Sequence, residues 1–258
     1  MTDIESAIVL PRSVLVADNG LYRRISQDPD SVALLEDLDA MVIPYSGKAE
    51  VNEQQVAAIR GVLIKAGQLT SGVLLIKNPY EVESYEFAEF AVETFASAKY
   101  HALANVARLL GAKDVRFVEA KVELDDAKWS AGLSVRTPAA GGGADVSNEV
   151  SKKLEERLEG QMKFPGSDPA PDDALGYLGR RNLSNDQQLR DLVEMRTGAN
   201  PISGYKMTFS GTRESAANFK SALKLTNAGP VEAVNIGISF SKTAKNLSSI
   251  EITTEITF

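Results

Sequence analysis

The chain has 258 residues, of which 43% are hydrophobic and 24% are charged, and this composition is ordinary for a folded globular protein. Its formal net charge of -7 disfavours a nucleic-acid partner, because a phosphate-binding surface would have to be a local basic patch in an acidic field. The absence of cysteine excludes disulfides, thiolate metal sites and cysteine nucleophiles.

The amino-terminal residues 1–6 are acidic and lack the basic and long apolar parts of a signal peptide. The longest apolar stretches, residues 72–76 and 131–135, are much shorter than a membrane-spanning helix. Together with the missing cysteines, these features predict a cytoplasmic location.

Short apolar runs mark the beginning of the chain. Residues 7–10 and 13–16 predict two short strands separated by Pro11. Apolar residues at helical spacing over 32–38 predict a helix. These patterns leave open whether residues 1–45 join the main sheet.

The next two elements have clearer boundaries. Asn52 predicts the start of a helix, with Gln55 at the capping-box position three residues later. Apolar residues over 56–63 form one stripe of this helix. Residues 72–77 predict a buried strand that ends before Pro79.

The longest predicted element is a helix at about 84–110, with Gly111 as its C-cap. A helix of that length extends roughly 40 Å at 1.5 Å per residue. Acidic side chains are concentrated near its predicted beginning, where they suit the helix dipole. These are Glu81, Glu83, Glu86, Glu89 and Glu93.

A hairpin and a break follow. Alternating residues 118–124 and 129–135 predict two paired strands, and Asp125-Asp126 predicts the turn between them. The glycine-rich stretch 138–144 offers no side chain that could pack a core and predicts a flexible loop. Apolar spacing over 147–159 predicts an amphipathic helix.

A second break at 164–171, rich in proline, precedes the carboxyl-terminal part of the chain. Ser184, with Gln187 three residues later, predicts the start of a helix by a capping box. Residues 203–209 predict an alternating strand, and 212–225 predict a helix.

The last 28 residues, 231–258, predict a closing hairpin. Apolar side chains alternate with polar or small ones over 234–241 and again over 250–258. The polar stretch 242–246 predicts the turn between the two strands.

These elements together predict an α+β fold with a mainly antiparallel sheet and helices packed on one face. At least five predicted strands after residue 114 have one polar face each, whereas parallel strands would be continuous apolar runs. We expect a single domain over 1–258, with a flexible insertion at about 137–183.

Motifs for chemistry are missing or incomplete. His101 is the only histidine, and no motif places a nucleophile or carboxylate beside it, so we predict no catalytic residue. A metal site would need carboxylates alone, and we predict none. Residues 46–48 resemble the end of a phosphate-binding loop, but Val42 and Ala49 replace its first glycine and its hydroxyl. We therefore predict no cofactor.

One region has more aromatic and acidic side chains than the rest of the chain. Some of these side chains lie off the apolar stripe of the predicted long helix, which suggests an interaction surface. The candidates are Tyr80, Tyr85, Phe90, Glu86, Glu89 and Glu93.

These features favour a non-catalytic soluble protein that acts through homo-oligomeric assembly or protein–protein binding, since long alternating strands offer edges for pairing. Its partner would be itself or another protein. One alternative is a membrane-active, pore-forming-like protein, because strands of about ten residues match a transmembrane hairpin; a membrane would then be a partner only after a conformational change. A second alternative is a carboxylate-dependent hydrolase.

Overall fold

The computed structural model describes residues 9–49, 51–124 and 142–258. It confirms an α+β fold, with two four-stranded and mostly antiparallel sheets. The chain divides into two compact units. Unit 1 contains residues up to Asn78, Val82–Ala91 and Ser215–Ala244, and unit 2 contains Pro79–Glu81, Val92–Glu214 and Lys245–Phe258. Whether both units behave as the predicted single domain stays a prediction.

Eight strands occur in the described residues. They are β1 (Ser13–Ala17), β2 (Ala40–Pro44), β3 (Val73–Lys77), β4 (Tyr85–Phe87), β5 (Asp114–Leu124), β6 (Gln161–Lys163), β7 (Gly204–Ser210) and β8 (Leu247–Thr257).

Nine α-helices occur in the same ranges. They are α1 (Asn19–Gln27), α2 (Glu53–Lys65), α3 (Ala88–Leu109), α4 (Gly142–Leu158), α5 (Pro171–Arg180), α6 (Gln187–Thr197), α7 (Ala216–Thr226), α8 (Gly229–Glu232) and α9 (Ile238–Asn246). The division between the two units falls within α3.

The sheet of unit 1 has the strand order β2-β1-β3-β4, with β1 and β2 parallel and the other pairs antiparallel. All residues of β1 and β2 are buried. On one face, Val14 and Ile43 pack in a cluster with Ile59 and Leu63 of α2. Helix α7 also contacts β1, β2 and β3. Helices on both faces explain why these strands are continuous apolar runs.

The sheet of unit 2 has the order β6-β5-β8-β7 and is antiparallel throughout. Its central strand β8 buries Ile250 and Ile252 and exposes Glu251. Ala96 of α3 packs close to these two isoleucines. A Cβ placed on Gly211 would lie 3.0 Å from the Cβ of Ala96 and 3.3 Å from a side-chain carbon of both Ile250 and Ile252. The predicted one-sided strands are therefore confirmed for β5, β7 and β8.

The prediction of a strand over 234–241, the first of the closing hairpin, is wrong. Residues Gly229–Glu232 and Ile238–Asn246 form α8 and α9 instead. Asn235 and Gly237 between them have φ of 57° and 70°, left-handed values that interrupt a strand. Of the alternating apolar residues, Phe240 is buried beside the Phe219 ring at 5.9 Å, whereas Ile238 is 50% exposed.

Four strands follow residue 113 within the described residues, fewer than the five or more predicted. The predicted turn at 125–126, the return strand at 129–135 and most of the glycine-rich stretch lie outside the described residues. Beyond them, the predicted insertion forms α4, β6 and α5, and β6 pairs with β5 as an edge strand of the second sheet.

The predicted long helix begins later than expected. Helix α3 has 22 residues and is about 33 Å long, because residues 85–87 pair with β3 as β4. Strand pairing therefore overrides the helical pattern at this point, and Glu89 is the acidic residue of the first helical turn. The C-cap prediction is confirmed: Gly111 has φ of 85°, and the Ala112 N–H donates to the carbonyl of Ala107 at 2.9 Å.

Both predicted capping boxes are wrong. Asn52 adopts a left-handed conformation without a side-chain cap bond, and Gln55 donates to the Val9 carbonyl at 3.2 Å. Helix α6 begins at Gln187 rather than near Ser184, and the carboxylate of Asp186 caps it. Asp186 also forms a buried ion pair with Lys99.

In the first 45 residues, β1 is confirmed, whereas 32–38 form only a short 3₁₀ turn at Val32–Leu35. Helix α1 and strand β2 were not predicted. Together with β3 and β4, β1 and β2 form a sheet of their own rather than joining the sheet of unit 2.

Candidate functional site

Three of the six predicted interaction residues are buried. Tyr80, Tyr85 and Glu93 are 2%, 3% and 7% exposed, so they do not form a surface. The Tyr85 hydroxyl donates to the buried carbonyl of Pro11 at 2.8 Å. For Tyr85, the helical spacing gave a wrong prediction because this residue lies in β4 and α3 begins only at Ala88.

The other three candidates lie in unit 1. Phe90 is 46% exposed, Glu89 is exposed, and Glu86 is half-buried, with its carboxylate accepting from the Phe87 N–H at 2.9 Å. Whether Phe90 and Glu89 contact a partner stays a prediction.

Unit 2 contains a buried cluster of ionisable side chains that the sequence patterns did not reveal. The ammonium of Lys99 lies 2.7 Å from Oδ2 of Asp186 and 2.9 Å from both carboxylate oxygens of Glu214. The Tyr80 hydroxyl donates to Oε2 of Glu214 at 3.3 Å. We call these four residues the Lys99 cluster.

The cluster joins four separate segments of unit 2. Lys99 comes from α3, Glu214 from the segment after β7, and Tyr80 from residues 79–81. Asp186 has two roles, because its Oδ1 also accepts from the Leu189 N–H at 3.1 Å and thereby caps α6. The Lys99 ammonium in addition lies 5.9 Å from the centroid of the Phe209 ring.

The charged groups of the Lys99 cluster are largely removed from solvent and paired with one another. Side-chain exposure is 2% for Lys99, 4% for Asp186 and 18% for Glu214. Burial, reinforced by the negative charge of Glu214, raises the pKa of Tyr80, so its hydroxyl stays protonated and can donate. Two carboxylates converge here, and both are paired with the Lys99 ammonium. The paired charges connect these four segments of unit 2.

A signal for this cluster was present in the sequence. Lys99 lies on the apolar stripe of α3, four residues after Phe95 and three before Ala102. A lysine in that position must either direct its ammonium group to solvent or pair it with buried carboxylates. Its partners, 87 and 115 residues away, could not be identified from spacing.

Unit 1 contains an open groove beside α2, with a volume of about 500 Å³. Its apolar lining comes from Val62 of α2, from Val9 and Leu10, and from Val82. Val9 and Val82 are 65% and 69% exposed. We call this feature the α2 groove.

Charged side chains also line the α2 groove. Lys65 comes from the end of α2, Lys77 from the end of β3, and Glu83 from the loop before β4. Burial, followed by the nearby positive charge of Arg12, lowers the pKa of Lys77. The groove therefore combines an apolar interior with both signs of charge.

Gly61 is the most informative residue of the groove. It lies inside α2, where glycine costs about 1 kcal/mol of helix stability relative to alanine. A Cβ at this position would meet no atom within 4 Å. No close packing explains the glycine, and its missing side chain leaves a notch in the helical wall of the groove.

Exposed large apolar side chains are distributed unevenly between the units. Of the ten recorded in the described residues, only Leu175 belongs to unit 2. The nine in unit 1 are Val9, Val32, Leu38, Tyr45, Ile64, Val82, Phe90, Val234 and Ile238.

A smaller cavity of about 220 Å³ lies elsewhere in unit 1. It is bordered by the beginnings of β3, α3 and α9, and Ile238 lines it. Its lining combines apolar side chains, such as Phe87 and Phe240, with the polar residues Glu89, Asn235 and Ser239.

Two other candidates from the sequence, the histidine and a carboxylate metal site, do not yield a site in the described residues. His101 is exposed beside the Tyr100 ring, 5.5 Å between centroids, and partial burial lowers its pKa. In the part of the chain that the structure describes, no three His, Asp or Glu side chains converge to hold a metal ion. Among the described helices, none has the length and apolar character required to cross a bilayer.

Comparison with known proteins gives no relative: no family model, no curated protein and no solved structure matches the chain.

Proposed function

We propose that the chain is a non-catalytic protein that acts by binding a protein chain through the α2 groove of unit 1. The observation that carries the proposal is the open groove itself, whose lining includes two of the large apolar side chains that are exposed in the described residues, Val9 and Val82. Single apolar residues scattered over a surface are normal, but grouped ones beside a concave site are typical of interaction surfaces.

The energetics favour occupation of the groove. Val9 and Val82 are each about two-thirds exposed, and each square ångström of apolar surface removed from water contributes about 25 cal/mol. The groove is open and its volume suits a few side chains of an inserted segment. The charged residues Lys65, Lys77 and Glu83 would orient that segment and select it by charge.

Gly61 supports the same role. A glycine inside a helix with open space beside it permits close approach of another backbone or side chain. A Cβ at this position would enter open space, and Gly61 lines the groove, so a larger side chain is expected to reduce the room for an inserted segment.

The proposal is tested by selecting phage-displayed random peptides on the immobilised chain, with Gly61→Leu and Gly176→Leu as comparison variants. Gly176 is also inside a helix and exposed, but it lies in α5 of unit 2, so its substitution controls for the change of residue type. We expect selected peptides to carry apolar anchors and to bind Gly61→Leu at least about tenfold more weakly, with Gly176→Leu unchanged. No enrichment, or equal binding to both variants, would overturn the proposal.

A further inference from the structure

We propose that the α2 groove binds a segment of another protein that carries a carboxylate side chain among apolar ones, and that the ammonium of Lys77 pairs with this carboxylate. The inference rests on the proposed function, because it names the chemistry of the segment that the groove binds. Lys77 itself carries the inference: it is half-buried, it lines the groove, and none of the ion pairs formed by the described residues includes it.

The backbone of Lys77 is fixed on both sides. Its N–H donates to the carbonyl of Arg12 at 2.8 Å, and its carbonyl accepts from the side-chain amide of Asn218 at 2.8 Å. Lys77 is also the last residue of β3, where it pairs with Tyr85 of β4. The base of its side chain is therefore held in place before any segment binds, which lowers the entropy cost of recognition.

The surroundings of Lys77 leave its charge uncompensated. Burial, followed by the positive charge of Arg12, lowers the pKa of Lys77, and both effects disfavour the ammonium form. The carboxylate of Asp39 pairs with Arg12 at 3.4 Å. A carboxylate that a bound segment places beside Lys77 would offset both effects, and it would gain more from the contact than at a fully hydrated surface.

The other two charged residues of the α2 groove need no ligand to account for them. Lys65 is exposed in the last turn of α2, where a positive charge suits the helix dipole. Glu83 is exposed in the loop before β4. Lys77 has neither explanation, because it is half-buried at the end of a strand.

The charge of the groove fits an acidic segment. Its lining contains two ammonium groups and one carboxylate, so it is locally positive in a chain whose net charge is -7. This polarity favours an acidic partner and disfavours a basic one. A single carboxylate suits the groove better than a phosphate group, whose second charge costs more to place beside the apolar lining.

Parallel selections from one random-peptide phage library test the inference. The immobilised chains are the unaltered protein, Lys77→Met, Lys77→Glu and, as the matched control, Lys220→Met. Lys220 is exposed on α7 of unit 1 and does not line the groove. Sequencing of the enriched peptides gives the frequency of acidic and basic residues beside the apolar anchors, and thermal unfolding checks the folding of each chain.

We expect Asp and Glu to be enriched on the unaltered chain and on Lys220→Met. On Lys77→Met they should return to their frequency in the library while the apolar anchors stay enriched, and on Lys77→Glu the preference should change to Lys and Arg. Lys77→Met should unfold at the same temperature as the unaltered chain or at a higher one, because it removes a partly desolvated charge without a partner.

One enriched peptide is then synthesised with its acidic residue and with the corresponding amide, and its binding is measured by fluorescence anisotropy. The acidic peptide should bind the unaltered chain about tenfold more tightly than the amide, and Lys77→Met should bind both equally. Comparison of the two ratios isolates the pairing from any other change in the groove.

Three results would overturn the inference. Apolar anchors without an acidic preference, or an acidic preference that persists on Lys77→Met, would contradict it and leave the proposed function standing. A lower unfolding temperature for Lys77→Met than for Lys220→Met would assign Lys77 to the stability of unit 1 instead. Selection that enriches no peptide on any chain would overturn the proposed function and the inference together.

Discussion

The two sheets of this protein bury their strands in different ways. In unit 1, helices contact both faces, and β1 and β2 are buried along their whole length. In unit 2, β8 buries Ile250, Ile252 and Ile256, whereas Glu251 is exposed and Glu255 is half-buried. A strand that is apolar throughout therefore indicates a sheet covered on both faces, whereas an alternating strand indicates one buried and one exposed face. This holds even though both sheets are largely antiparallel.

The buried polar contacts of the two units differ as well. In unit 1, the hydroxyls of Ser13 and Ser221 lie 2.6 Å apart, and Ser221 donates to the Asp39 carbonyl at 2.6 Å. In unit 2, the corresponding interior contact is the charged Lys99 cluster. A neutral contact can be lost at modest cost, whereas removing one member of a buried ionic cluster leaves charge without compensation.

The largest effect is expected for Lys99→Met. The substitution leaves Asp186 and Glu214 facing each other inside unit 2, and we expect a loss of about 3–5 kcal/mol in the free energy of unfolding. Urea unfolding followed by circular dichroism measures it, with Lys48→Met at an exposed position as the matched control. Adding Asp186→Asn and Glu214→Gln should restore part of the loss. A loss below about 1 kcal/mol would remove the assigned role of the cluster.

A smaller loss is expected for Ser221→Ala in unit 1. The Asp39 carbonyl and the Ser13 hydroxyl each lose a partner, which should lower the free energy of unfolding by about 1–3 kcal/mol. The same urea titration measures this change. If the serine variant proved more damaging than Lys99→Met, the contrast between neutral and charged interiors would be wrong.

Alkaline pH should weaken both units through their buried tyrosines. Burial raises the pKa of Tyr80 and Tyr85, with Glu214 adding to the effect at Tyr80. Above about pH 10 these side chains ionise in the unfolded chain but stay protonated in the folded one. The unfolded chain then binds fewer protons, so stability falls as pH rises, by up to about 1.4 kcal/mol per pH unit for each tyrosine.

Urea titrations between about pH 8 and 11 test this sign. Tyr80→Phe and Tyr85→Phe should each make the decline shallower, irrespective of any stability they lose at neutral pH. An unchanged slope in both variants would show that the two hydroxyls are not protected from ionisation.

The smallest expected effect is a gain. Gly61→Ala should raise the free energy of unfolding by about 0.5–1 kcal/mol, because alanine favours the helix and its Cβ enters open space. Gly176→Ala in unit 2 is the matched control and should give a similar gain, since only the end of the Arg180 side chain lies near it. A stability loss for Gly61→Ala alone would mean that the notch contributes to the fold of unit 1.

The sequence allowed some of these features to be predicted and not others. Strand β8 was predictable because its alternation agrees with its surroundings in unit 2. The same two-residue alternation over 234–241 led to a wrong strand prediction, because Asn235 and Gly237 adopt left-handed conformations and α9 follows them. Alternation describes what a strand would bury and does not by itself establish that a strand forms.

The candidate site was beyond sequence reasoning for a different reason. The α2 groove combines Val9, residues 58–65, Lys77 and residues 82–83, which come together only once the first sheet has formed. Gly61 inside α2 was a local sign of it in the sequence. Of the aromatic and acidic residues predicted as an interaction surface, Tyr80, Tyr85 and Glu93 are buried, and Tyr85 is part of β4 in the first sheet.

The most direct measurement of the proposed function is photocrosslinking from the α2 groove, for which a chain without cysteine is well suited because each introduced thiol is the only one. Val82→Cys and, as the control, Gly176→Cys are each labelled with a thiol-reactive benzophenone and irradiated in the presence of a selected apolar peptide. We expect the Val82→Cys chain to crosslink the peptide and the Gly176→Cys chain not to do so. Crosslinking at Val82→Cys that does not exceed the Gly176→Cys control would contradict binding in the α2 groove.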